Sequence, residues 1–152
     1  MLSALRRLAA FCICLALCFG LAACDGSAKA KTAAISPDDM AVIRRQAEGF
    51  TEAKDRLPEL AKLVNQRDWT FTRNLIHGPM QEVGREMLYI NQRLSRSERK
   101  QGDKMARSLK AALAELDEAS RLQDPARMQR AYSAVAAGFD AYADVIPAEA
   151  LS

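Results

Sequence analysis

From Ser36 onward, apolar positions recur every three or four residues in four successive runs. Ile43, Ala47, Phe50, Leu57, Leu60 and Val64 make the first, and Trp69, Ile76, Met80, Val83, Met87, Ile90 and Leu94 the second. Met105, Leu109, Ala112, Leu113 and Leu116 form the third, and Met128, Tyr132, Val135, Phe139, Tyr142 and Ile146 the fourth. This period stacks side chains on one face of an α-helix, so each run predicts an amphipathic helix. There is no alternation of period two and no internal repeat.

The punctuation agrees with the period. Ser36-Pro37-Asp38-Asp39 supplies a hydroxyl N-cap, a proline where its missing N–H costs nothing, and two acids at the positive end of the dipole. Asn65 to Asp68 ends the first helix, with Asp68 as the next N-cap. Ser95 and Glu98 have capping-box spacing, Asp124-Pro125 restarts the chain, and Pro147 stops it. Two prolines fall inside runs. Pro58 removes one backbone bond and presses on the carbonyl of Lys54, which predicts a bend. His77-Gly78-Pro79 predicts a kink, or a broken short-long pair, in the second helix. Connections of a few residues force neighbouring helices antiparallel, so the expected fold is all-α. It is an up-down-up-down four-helix bundle over 36–147 with a tail at 148–152.

Ahead of the bundle, the pattern changes. Arg6 and Arg7 precede an apolar run, Leu8 to Ala23, and Cys24 follows at once. A basic head, a hydrophobic stretch and a small-residue exit make 1–23 an export signal. The run is also long enough to be considered as an uncleaved span, but Leu21-Ala22-Ala23-Cys24 resembles the lipobox of bacterial lipoproteins, which implies cleavage before Cys24 and lipid on its thiol. Residues 24–35, rich in Ala, Lys, Gly and Ser, are then a lipidated flexible tether, giving the domain a reach of about 20 Å. Cys12, Cys14 and Cys18 leave with the signal, so no thiol chemistry and no Cys-ligated metal is expected in the mature domain. Losing Arg6 and Arg7 also lowers the basic residues from 22 to 20, against 19 acidic ones. A domain so near neutrality lacks the patterned excess of a nucleic-acid binder.

Few chemistries fit what is left. The single histidine, His77, has no Cys-x-x-Cys before it for covalent haem and no glutamate three residues earlier for a di-iron pair. Catalysis is not expected, and neither is an intrinsic cofactor. His77 could anchor a divalent metal shared with Asp or Glu, or act as a polar residue at a kinked turn beside Gly78 and Pro79. Glu48, Glu52 and Asp55, and separately Glu82 and Glu86, fit solvated helix faces. Arg93, Arg96, Arg99, Lys100, Lys104 and Arg107 concentrate positive charge around the turn between the second and third helices, which fits a solvated end or a dock for an acidic partner.

Asp68-Trp69, then Ile76-His77-Gly78-Pro79-Met80 and Arg85-Glu86-Met87, resemble the Q-type extrinsic subunit of photosystem II, the PsbQ family, in its cyanobacterial lipoprotein form. The likeness runs from Arg67 to Leu116-Asp117 and more weakly to Ile146-Pro147. It implies a non-catalytic four-helix bundle, lipid-anchored on the lumenal face of the thylakoid membrane. Its implied partners are the manganese-stabilising protein and a core antenna protein, and its implied role is to support the water-oxidising complex and its calcium and chloride retention. The proline-rich N-terminal region of plant members is missing here, and no calcium loop is present, so calcium dependence would belong to the whole complex. The docking candidates are Arg93, Arg96, Arg99, Lys100 and Lys104 with the His77-Gly78-Pro79 kink. The competing expectation is an envelope lipoprotein holding a divalent metal or small ligand, with His77 as one anchor.

Overall fold

The helices that begin at Pro37, Trp69, Arg96 and Pro125 each start on a side-chain cap, while those that begin at Leu57 and Val83 have none. The computed structural model describes residues 34–151, so the signal segment, Cys24 and the tether up to 33 lie outside the described residues. Within it run α1 (Pro37–Lys54), α2 (Leu57–Asn65), α3 (Trp69–His77), α4 (Val83–Arg93), α5 (Arg96–Arg121) and α6 (Pro125–Ala143), then a short 3-10 turn (Ala148–Ala150). Ser36 Oγ accepts from Asp39 N at 3.1 Å, Asp68 Oδ1 from Phe71 N at 3.1 Å and Asp124 Oδ1 from Arg127 N at 2.9 Å. Ser95 and Glu98 close a full capping box, with Ser95 N donating to Glu98 Oε2 at 3.1 Å. Each cap satisfies donors that the first helical turn leaves without partners.

The four expected rods are present, and two of them are broken. At Pro58 the helix does not merely bend. It stops at Lys54 and restarts at Leu57, which puts the proline in a first turn where no N–H is needed. Asp55 and Arg56 keep near-helical backbone angles across the gap. At Gly78-Pro79 the second rod separates into α3 and α4, and residues 78–82 form a turn anchored by Met80, 2% exposed. The rods are antiparallel to their neighbours: α1 packs on α4, α2 on α3, α5 on both α3 and α4, and α6 on α5 and α2.

Between the rods lies one core. Phe50, Phe139 and Tyr142 stack at its centre with ring centroids 5.0 and 5.4 Å apart, flanked by Ile43, Leu60, Met87, Ile90, Leu109, Leu116 and Met128. Burying these apolar surfaces drives the assembly of helices that would be marginal alone. Trp69, Met105 and Tyr132 sit at its edge, half-buried. The core reaches further than the periodic runs. Ile35, assigned to the tether, packs on it together with Met40, the two positions of a hydrophobic staple around the Ser36 cap. Ala150, assigned to the tail, is buried where the 3-10 turn lies on α1.

The core is not wholly apolar. The Tyr142 hydroxyl, shared between two acceptors, donates to Met87 O at 3.0 Å and Asn91 Oδ1 at 2.9 Å, and Asn91 Nδ2 donates to Asp103 Oδ1 at 2.9 Å. Gly102 makes room for this chain of contacts: a Cβ there would lie 2.9 Å from Asn91 Cγ. Burial, with the Asp103 charge adding, pushes the Tyr142 phenol far above its ordinary range, so it stays a donor at neutral and mildly alkaline pH.

Two turns share one design. After α2 the amide of Arg67 donates to Val64 O and that of Asp68 to Leu63 O. After α5 the amide of Gln123 donates to Ser120 O and that of Asp124 to Ala119 O. Each is a Schellman ending whose next residue is already the following N-cap. Both place a residue with a side chain in the left-handed region, Arg67 at φ 56° and Gln123 at φ 54°. Glycine bears this conformation without a Cβ clash. Arg67→Gly and Gln123→Gly are therefore each expected to raise stability by about 0.5–1 kcal/mol, read as a higher urea midpoint.

Candidate functional site

The basic cluster separates into residues that hold the fold and residues that face out. Arg93 Nε lies 3.1 Å from Asp39 Oδ1, pairing α4 with the start of α1. Arg99 Nε donates to the carbonyl of Asn91 at 3.0 Å, closing the α4–α5 turn. Arg96, Lys100, Lys104 and Arg107 are exposed and have no ion-pair partner among the described residues. Their spacing of four, four and three lines them along one face of α5, a ridge about 16 Å long.

The ridge works against its own helix. Cations in the first turns oppose the positive end of the dipole, and like charges four residues apart repel, each by a few tenths of a kcal/mol. The C-terminal half of the same helix is built the other way. There Glu115 takes both nitrogens of an Arg127 fork, Glu118 pairs with Arg121 at 2.7 Å, and Asp117 accepts from Arg73 at 2.9 Å. The hydrogen bond from Arg127 holds the Glu115 carboxyl below its ordinary range, as that from Arg121 does for Glu118. So α5 has a charge-compensated half and an uncompensated half. Leu88 on α4 is half exposed beside the bare half. It shares a face with Gly84, which lies next to the Lys110 side chain, and with Asn91, which bonds Asp103.

His77, at the end of α3, sits at a different place. Its Nε2 is 2.8 Å from Asp117 Oδ1, the same oxygen that takes the Arg73 hydrogen bond. Burial raises the Asp117 pKa, but the hydrogen bonds from Arg73 and His77 and their charges outweigh it, and the net direction is down. The three side chains tie the broken second rod to α5. Arg73 and His77 border a cleft of about 290 Å³ that also touches Trp69, Asn74 and Gln123. Gly78 and Pro79 are exposed on the adjacent turn. Asp117, 40 residues from His77, has no sequence signal linking it to that residue. Among the described residues no three His, Cys, Asp or Glu side chains converge as a metal's ligands would.

The acidic positions at the α1–α4 contact also separate. Glu86 lies against Gly49, where a Cβ would collide with its carboxylate, and its Oε2 is buried without a hydrogen-bond partner. Burial pushes the Glu86 carboxyl up. Arg85 offsets part of that, while Glu82 and Glu52 add to it. A folded-state pKa above the ordinary value means that protonation favours the fold. The contribution is present in acid and lost as pH rises through the folded pKa toward neutrality. Glu86→Gln is thus expected to stabilise at pH 7 by up to about 1 kcal/mol, since the group is partly solvated, with little effect at pH 4. Urea unfolding at the two pH values checks this.

The described residues thus form a helical bundle with an uncompensated basic face along α5, the build of an extrinsic docking subunit. Comparison with known proteins specifies it: the chain belongs to the PsbQ family, whose sequence model, described as Oxygen evolving enhancer protein 3, matches residues 3–147. Among its relatives is CyanoQ of Synechocystis sp. (strain ATCC 27184 / PCC 6803 / Kazusa). The two are 24% identical over 113 residues, covering 74% of this chain and 76% of the relative. No helix among the described residues is long and apolar enough to cross a membrane.

Proposed function

We propose that this protein is a non-catalytic extrinsic subunit of photosystem II, held at the lumenal face of the thylakoid membrane by lipid on Cys24. There it docks through the α5 ridge against the manganese-stabilising protein and a core antenna protein, and so supports the water-oxidising complex. The carrying observation is the unpaired row Arg96, Lys100, Lys104 and Arg107 on a bundle of the PsbQ family. In the free protein its charges are screened only by dissolved ions, and an acidic surface supplies fixed counterions in their place. The lipid raises the local concentration at the membrane, so docking contacts of modest affinity suffice. Calcium retention belongs, on this reading, to the assembly.

The test is co-migration. Tagged protein should run with photosystem II complexes on native gels, and a strain lacking it should lose oxygen evolution faster than its parent when calcium and chloride are withdrawn. A tagged protein absent from every photosystem II band removes the proposal.

A further inference from the structure

A groove of about 580 Å³ opens between α1 and the C-terminal turn, within the volume range of ligand clefts. Ala47, Phe50, Ile146 and Ala150, each at most 5% exposed, form its apolar floor, and the part-buried Ala143 and half-exposed Leu151 give it its accessible apolar wall. Two cations border it, and both are engaged. Arg44 Nη2 donates to the carbonyl of Glu149 at 3.1 Å, fastening the turn to α1, and Lys54 Nζ is 2.9 Å from Asp140 Oδ1.

Its carboxylates are not engaged. Glu48, Glu52 and Asp55 stand along the outer edge of the groove at spacings of four and three, all exposed, none with an ion-pair partner among the described residues. Glu48 and Glu52 repel one another across one turn, and Glu52 and Asp55 put negative charge at the negative end of the α1 dipole. This is the ridge's signature with the sign reversed, on the rod diagonally across the bundle from α5. An apolar trough edged by uncompensated acids is complementary to a cationic segment with a large apolar side chain. A lipid tail would leave the acids unpaired, and an anionic surface would be repelled.

We infer that this groove docks a segment of a partner protein in which a large apolar residue is flanked by Lys or Arg. The bundle then has two uncompensated faces of opposite sign, and the α1 groove is the one that docks this segment. This stands independently of the photosystem reading, because no photosystem component enters its test.

The purified protein, labelled with nitrogen-15, is titrated with a synthetic peptide of Leu-Phe pairs separated by Lys, and with the same peptide carrying Glu in place of Lys. The Lys peptide should shift the amides of Ala47, Thr51, Ala143 and Leu151. Its affinity should fall at least tenfold in Glu48→Lys/Glu52→Lys and in Leu151→Asp, and stay unchanged in Lys62→Glu, an exposed cation on α2 outside the groove. All of these are surface changes, and circular dichroism confirms that each variant is helical. Equal affinity for the two peptides, shifts confined to other faces, no binding, or a groove already covered by a second copy at assay concentration would each overturn the inference.

Discussion

Asn91→Ala is expected to lower the unfolding free energy by about 3 kcal/mol, the largest effect of any single polar substitution in the core. Asn91 is 2% exposed and joins three elements: its amide oxygen accepts from Tyr142 on α6, its nitrogen donates to Asp103 on α5, and its own backbone belongs to α4. Truncation removes both hydrogen bonds and leaves a cavity against Gly102 in a region too packed to collapse freely. Tyr142→Phe should cost less, about 1–2 kcal/mol: it strands the Asn91 oxygen without its donor, but keeps the ring and opens no large cavity. Urea denaturation of both variants and the double mutant measures the coupling. Additive losses would show that the two side chains do not act as one network.

Reversing the ridge should cost the most in binding. With Arg96, Lys100 and Lys104 changed to Glu, affinity for photosystem II membranes stripped of extrinsic subunits is expected to drop about 100-fold, the equivalent of about 2.7 kcal/mol spread over three reversed contacts. The wild-type affinity should fall with added salt, and the variant's should not. Lys62→Glu, an exposed cation on α2 away from the ridge, serves as control. Stability should not suffer in the ridge variant, because acids in the first turns of α5 suit its dipole better than the native cations do. Co-sedimentation across a salt series reads all of this. A triple reversal that binds as the parent does would take α5 out of the interface.

Much of the fold was legible because apolar period and cap chemistry say the same thing at each rod. Pro58 and Gly78-Pro79 marked both interruptions, although the first is a full stop and restart: a helix relieves a proline more cheaply by beginning near it than by bending through it. Asn91, Thr72 and Ser120 are fully buried and escaped notice, since a periodicity that counts only apolar residues passes over polar positions on the same face. Arg67 and Gln123 were silent for a related reason, as neither is the glycine that usually announces a left-handed residue. In the basic cluster the residue types were readable and their partners were not. Only the fold brings Asp39 to Arg93 and the Asn91 carbonyl to Arg99, and so shows which cations are left over.

The two interruptions lie in neighbouring rods, with α1 against α4 on one side of them and α2 against α3 on the other, while α5 and α6 run on unbroken. The molecule therefore has a built-in fracture line. The short hairpin of α2 and α3 is joined to the rest of its own rods only by the brief joints at 55–56 and 78–82, so it can lift away at the cost of its contacts with α5 and α6 alone. An opening along that line leaves both charged faces standing.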